Sequence, residues 1–346
     1  MEEGMSEAIP VLSFDEVVKC LLQKREPYYG NYWAMYSSWY GGIVTDPALM
    51  MVPIDDHLVH RGDGIFEAFK CVDWNVYALD RHLDRLEGSA KVSFHALRLS
   101  RSELVETILA TIRTAGIPDC SIRIFLSRGP GGFSASPYEC PESQLYIVVT
   151  NLHIPGKEKY EQGVSLRTSL VPQKKDYFAN IKSCNYLPNV LMRKEAEDAG
   201  VDYTVSLDEE GFLAEGPTEN IGLVTRNREF LVPRFDRILR GITVSRLMEL
   251  AESLIDTGEL TKMGEADLTP EDAYSAAEMM MFGTSFDVLP VVNYDGHRIG
   301  DGRPGHFAKR FLELLRNDVR NCKEMITPVR RNHDGQCLAR ASSLRG

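Results

Sequence analysis

Residues 180–190 read NIKSCNYLPNV, with one lysine, Lys182, held between polar residues shortly before Pro188. Proline at the first position of a helix gives up an N–H that has no partner there anyway, and a glycine just past the end is the usual stop. Pro188 and Gly200 therefore bracket a helix running to about Ala199. The apolar run VSLRTSL at 164–170 reads as a strand, so Lys182 lies on a strand-to-helix loop. A lysine there is either a solvated cation or the residue around which a site is built, and the rest of the chain has to decide.

Toward the C-terminus, 201–216 (VDYTVSLDEEGFLAEG) and 220–233 (NIGLVTRNREFLVP) read as hairpin-like strands turning at DEEG and RNRE. TVSRLMELAESLI places Val244, Leu247, Met248, Ala251, Leu254 and Ile255 on one face of a helix. AEMMMFGTS reads as a strand and GHFAKRFLELLRNDV as a closing helix. Toward the N-terminus, HIPGKEKYEQG breaks the pattern as a linker would. Before it, short apolar runs alternate with Asp and Gly, and helices are expected at Asp80 to Lys91 and Ser102 to Ala115. The first helix of the chain is expected over 12–24, with Phe14, Val17, Val18, Leu21 and Leu22 at helical spacing, on the surface or against a second subunit. These signals divide the chain into an N-terminal helical extension (1–29), a small α+β domain (30–153), a larger domain (160–320) and a flexible basic tail (321–346).

Net charge of −11 argues against a nucleic-acid backbone as the main partner, which would call for clustered Lys and Arg. No apolar run reaches the 18 residues a membrane helix needs, so no membrane span is expected. Seven cysteines form no CxxC pair, so neither a disulfide framework nor a metal site is signalled. The acid-bearing start MEEGMSEAIP lacks the features of a secretory signal or a transit peptide, and a cytoplasmic protein is expected.

Each candidate for chemistry has a plain structural alternative. Thr243, after Gly241 and Ile242 at a helix start, could be a simple cap or part of an anion site made with free helix amides. Gly283 and Thr284, after EMMMF, could be an ordinary turn or a second set of donors. Arg85 could be a solvated helix arginine, and Glu215, before Gly216 and Pro217, a salt-bridged structural acid. Lys174 and Lys175, adjacent in QKKDY, read as solvated loop cations.

Taken together and in order, HRGDGIFEAFK, RHLDRLEGSAK, IKSCNYLPNV, AEGPTENIGLV, RGITVSRL, EMMMFGTSFDVLPVV and GDGRPGHFAKR resemble the fold-type IV pyridoxal-phosphate enzymes. These comprise branched-chain aminotransferases, D-amino acid aminotransferases and aminodeoxychorismate lyases, and the resemblance spans residues 30–318. It implies a small N-terminal α+β domain, a C-terminal pseudo-barrel α/β domain, pyridoxal 5'-phosphate between them, and a homodimer whose partner loop closes the site. It implies that Lys182 forms a Schiff base with the cofactor aldehyde and later shuttles the proton, and that Glu215 sits against the pyridine nitrogen. Arg85, Ile242, Thr243, Gly283 and Thr284 would hold the phosphate, and Tyr186 would reach the ring hydroxyl.

The physical demands agree with those roles: a Schiff-base lysine must lose its proton near neutral pH, and a carboxylate keeps the ring nitrogen protonated. Within the family, Phe66 followed by Glu67 resembles the aminotransferases, SRGPGGFS resembles the lyases, and KSCNYLPNVLMRKEAEDAG resembles plant D-amino acid aminotransferase relatives. No Arg-x-His pair is present to take the substrate carboxylate, which leaves Arg128 and Lys70 as candidates. Phe66 and Ala68 are expected to shape the side-chain pocket, with core packing as their alternative. The expectation is an aminotransferase acting between a branched-chain L- or a D-amino acid and a 2-oxo acid. An aminodeoxychorismate lyase is the runner-up, and a catalytically silent cofactor-binding protein the reading from another class.

Overall fold

The computed structural model describes residues 9–329. The first sheet takes β1 (Tyr32–Ser37), β2 (Gly42–Val44), β3 (Gly64–Val72), β4 (Asn75–Tyr77), β5 (Cys120–Ser127) and β6 (Gln144–Asn151), all paired antiparallel. Helices Leu79–Ser93 and Arg101–Ala115 cover one face of it. The period of two along β3 and β5 explains why. Ile65, Phe69, Ile122, Ile124 and Leu126 point into the core under the helices, while Phe66, Ala68, Ser121, Arg123 and Phe125 are left on the other face.

The second sheet is a half-barrel built from β7 (Val164–Thr168), β8 (Tyr203–Val205), β9 (Asn220–Val224), β10 (Glu229–Pro233), β11 (Lys262–Ala266), β12 (Glu278–Gly283), β13 (Asp287–Tyr294) and β14 (His297–Arg298). Its order is β11-β10-β9-β12-β13-β7-β8, with β14 beside β13. The pairs β10–β11, β7–β13 and β7–β8 are parallel and the others antiparallel. The unbroken apolar run of β12 is that of a strand buried on both faces. Met280 and Phe282 pack toward helices Ile242–Asp256 and His306–Asn321, and Met279 and Met281 into the core on the opposite side.

Three details depart from the sequence reading. The chain returns to the first sheet, where β15 (Ile326–Pro328) pairs with β4 and Met325 and Val329 are buried, so the expected tail begins as structure. Its remainder, 330–346, lies outside the described residues, as do residues 1–8 of the N-terminal extension. The linker HIPGKEKYEQG contains a helix, Lys157–Gln162, whose Tyr160 packs on the second sheet's core. The segment 201–216 is a short, irregular hairpin: β8 pairs with β7, and beyond it the arms meet across DEEG through the Leu207–Leu213 bridge and the Ser206 N–H to Glu215 carbonyl bond at 3.0 Å. The first helix, Phe14–Gln23, has the capping box Ser13/Glu16 and buries none of its residues.

Candidate active site

A cavity of about 480 Å³ opens between the sheets, walled by β3 and β5 on one side and by residues 215–220, 239–243 and 282–286 on the other. Its size suits a cofactor with a substrate. The loop carrying Lys182 stitches the two halves together. Phe66 N–H donates to the Lys182 carbonyl at 2.9 Å, Cys184 N–H donates to the Gly64 carbonyl at 2.8 Å, and Ser183 bridges Ile65. The loop also comes close at Gly62, whose φ is +65° and where a Cβ would stand 3.3 Å from Asn185 Cα. Ile181 on one side is anchored in the first core, and helix Leu187–Ala199 starts just beyond.

Lys182 projects into the cavity, with Nζ 4.6 Å from the Phe66 ring centroid and no salt bridge among the described residues. Burial, then the charge of Arg85, pushes its pKa down to about 8 against the pull of Glu67 and Glu215. Glu215 lines the same cavity and has no salt bridge among the described residues either. It accepts from Gln173 Nε2 at 3.0 Å and Asn220 Nδ2 at 3.4 Å. Burial pushes it up to about 7, opposed first by the Gln173 amide and then by Lys182. A lysine whose proton burial loosens thus shares a cavity with a carboxylate whose charge burial disfavours.

Arg85 reaches the cavity from helix Leu79–Ser93. It is no free surface arginine: Nε and one terminal nitrogen donate to the two oxygens of Glu67 at 2.7 and 2.8 Å, and the other donates to the Arg240 carbonyl at 3.1 Å. Glu67, fully buried, also meets His82 Nδ1 at 2.7 Å. Tyr186 lines the cavity edge-on to Phe66, ring centroids 5.2 Å apart.

Helix Ile242–Asp256 begins one residue earlier than the sequence pattern suggests. Gly241 is the cap and supplies no side-chain bond, so Thr243 is inside the first turn rather than at the cap. The amides of that turn stay free on the cavity wall. The wall is tight, since a Cβ on Gly241 would fall 1.7 Å from Asn220 Oδ1. Gly283 and Thr284 open the β12–β13 turn opposite. Uncapped helix amides, the remaining Arg85 donors and two threonines make a donor set for a phosphate. Together with Glu215 for a ring nitrogen and an easily deprotonated Lys182, the residues fit pyridoxal 5'-phosphate. Asn189 Oδ1, a buried acceptor without a partner among the described residues, is one more group in the same wall for a ligand to meet.

Arg128 is set apart from the other expected site residues. It does not line the cavity, and its guanidinium donates to both Asp63 oxygens at 3.0 Å and to the carbonyls of Phe94 and Ser93. With its donors engaged in this way it has no fork to offer a substrate. Lys70 lines the cavity but is paired with Asp287. Phe66 and Ala68 are in the wall. Lys174, expected in solvent, lines the cavity too, whereas Lys175 pairs with Glu209 at the surface.

The residue the sequence reading missed is Arg123. It stands opposite Ala68 in the β3–β5 ladder, lines the cavity and forms no salt bridge among the described residues. The signal was the alternation of CSIRIFLS, which puts Arg123 on the face that Ala68 occupies across the pair. No group of three or more His, Cys, Asp or Glu among the described residues is arranged to hold a metal ion.

The family model for amino-transferase class IV matches residues 64–294. Over 316 residues the chain is 40% identical to the chloroplastic D-amino-acid transaminase of Arabidopsis thaliana, covering 90% of this chain and 83% of that one. Over 287 residues it is 28% identical to the branched-chain-amino-acid aminotransferase of Escherichia coli K12, covering 80% and 91%. The T.th. branched-chain amino acid aminotransferase with pyridoxamine 5'-phosphate shares the fold at TM-score 0.80 and 25% identity, over 86% of this chain and 99% of that one. Its complex with N-(5'-phosphopyridoxyl)-L-glutamate gives TM-score 0.79 at the same identity and coverage.

Proposed function

Because the chain belongs to the class IV aminotransferases, we propose that Lys182 is the residue through which it moves an amino group between an amino acid and a 2-oxo acid. The observation that carries this is the placement, in one cavity, of Lys182 and Glu215, each buried and without a salt bridge among the described residues. Bound pyridoxal 5'-phosphate, the cofactor of the family, supplies an aldehyde for the amine and a protonated ring that draws electrons from the carbon losing its proton. Lys182 would be the residue that holds this aldehyde, and its amine, once free, would be placed to take the proton from the substrate α-carbon and give one back. Glu215 would hold the ring nitrogen protonated, and Tyr186, in the same wall, would reach the ring hydroxyl.

Arg85, the Ile242 and Thr243 amides and the Gly283–Thr284 turn would hold the phosphate. Arg123, the cation across from Ala68, takes a substrate carboxylate, and Phe66 and Ala68 bound the side-chain space. A D-amino acid is the donor we favour, on the 40% identity to a D-amino-acid transaminase. We take the protein to be a homodimer, for which the exposed Phe14, Leu22 and Leu187 offer apolar surface. A reducing, cytoplasmic compartment suits seven cysteines without CxxC spacing. Among the described residues no helix is long and apolar enough to cross a membrane.

The test is an absorbance spectrum of cofactor-loaded protein mixed singly with D-alanine, L-leucine, L-glutamate and aminodeoxychorismate, alongside Lys182→Ala. Replacement of the lysine-linked absorbance by that of pyridoxamine 5'-phosphate with D-alanine supports the reading, and the same change with L-leucine alone reverses the chirality. Pyruvate release from aminodeoxychorismate alone would make the protein a lyase, and the same lysine-linked spectrum in Lys182→Ala would dismiss Lys182.

A further inference from the structure

Lys174 and Lys175 are indistinguishable in QKKDY, but the fold sends them opposite ways. Lys175 pairs with Glu209 at 2.9 Å, the two side chains 77% and 72% exposed. Lys174 turns into the cavity, its Nζ 5.2 Å from the Tyr186 ring centroid. Tyr186 stands edge-on to Phe66, and Lys182 Nζ lies over that same Phe66 ring at 4.6 Å. Two ammonium groups therefore stand at either side of one aromatic pair. Gln173, the residue before Lys174, donates to Glu215 Oε1, which ties this stretch of loop to the carboxylate. Lys174 forms no salt bridge among the described residues.

We propose that Lys174 is a positioning residue of the aminotransferase site, its unmatched positive charge favouring ionised Glu215 and unprotonated Lys182 together. This rests on the assignment of Lys182 and Glu215 to the cofactor. A fixed cation in a partly desolvated cavity makes a second cation beside it costlier and an anion cheaper. At Glu215 it counters burial, and at Lys182 it acts with burial, so one charge moves both groups toward the states the reaction requires. Burial pulls Lys174's own pKa down, and Glu215 opposes that pull.

Other groups face Lys182 as well. From helix Leu79–Ser93 come Arg85 and His82, and from β3 comes Glu67. Its own loop brings Cys184, the turn after Glu215 brings Glu219, and Tyr186 lines the same cavity. Of the cations in this set, Arg85 is matched by the two oxygens of Glu67, whereas Lys174 has no such counter-charge among the described residues.

The test is a spectroscopic pH titration of the full-length, cofactor-loaded protein, comparing wild type with Lys174→Gln, Lys174→Arg, Lys175→Gln and Lys182→Ala. The midpoint of the lysine-linked absorbance is expected to rise by about half a pH unit or more in Lys174→Gln, the effect of removing one nearby charge at a screened protein dielectric. It should stay at the wild-type value in Lys174→Arg and Lys175→Gln. A wild-type midpoint in Lys174→Gln overturns the proposal, and an equal rise in Lys174→Arg replaces the charge effect with one of shape. Lys182→Ala separates the two levels: if it still shows the lysine-linked absorbance, the underlying assignment fails whatever the Lys174 variants do.

Discussion

Glu67→Gln probes the electrostatic frame beneath the cavity. Glu67 is fully buried, yet it stays ionised: burial raises its pKa, but the Arg85 charge and hydrogen bonds, with His82, bring it down from 4.5 to about 2. Because the folded value is the lower one, Glu67 contributes stability that is complete above about pH 4.5 and disappears as the pH falls toward 2. At ~1.4 kcal/mol per pH unit, the depression is worth about 3 kcal/mol. Gln in its place also leaves Arg85 without its counter-charge, a change that costs about 3–5 kcal/mol in buried pairs. Urea unfolding of the cofactor-free protein at pH 7 should therefore show Glu67→Gln weaker by about 3 kcal/mol. The gap to wild type should narrow as the pH is lowered through 4. A variant within about 1 kcal/mol of wild type at pH 7, or a gap that ignores pH, would refute the reasoning.

The two arginines of β5 and its end separate by kinetics: Arg123→Gln should raise KM for an amino acid about tenfold or more, the loss of one charge-assisted bond. Arg128→Gln should leave KM alone and lower stability by about 2 kcal/mol, since its partners are Asp63 and two carbonyls. The opposite pattern would return Arg128 to the substrate. Gly241→Ala should weaken pyridoxal 5'-phosphate binding to the cofactor-free protein in an equilibrium titration, because its Cβ collides with Asn220 Oδ1. An unchanged Kd would remove the amides after Gly241 from the phosphate site.

Much of the site was legible because it is written in local, ordered signals. Lys182 before a Pro-started helix, Glu215 at a strand end before Gly-Pro, and Gly241 ahead of a helix each announce a backbone geometry that aims a group or frees an amide. What was misjudged concerns partners. Arg128 and Arg123 lie on the same stretch of chain, and only packing reveals that Asp63 and two carbonyls hold the first while the second stands beside Ala68 on the cavity wall. Glu67 read as a family marker, but its work as the counter-charge of Arg85 depends on a helix that brings in a residue 18 positions on.

By itself, then, the sequence determined most of the longer elements and the residues that local backbone geometry presents: strands by their period of two, long helices by their apolar faces, and Lys182 on its loop. The tertiary structure decided which charges are left unmatched in the cavity. Charge pairing joins residues far apart in the chain, Lys70 with Asp287 and Arg85 with Glu67, and no local pattern encodes it. It also brought the chain's end back to β4 and turned Lys174 inward beside an outward Lys175 of the same composition, because burial is a property of the whole packed molecule.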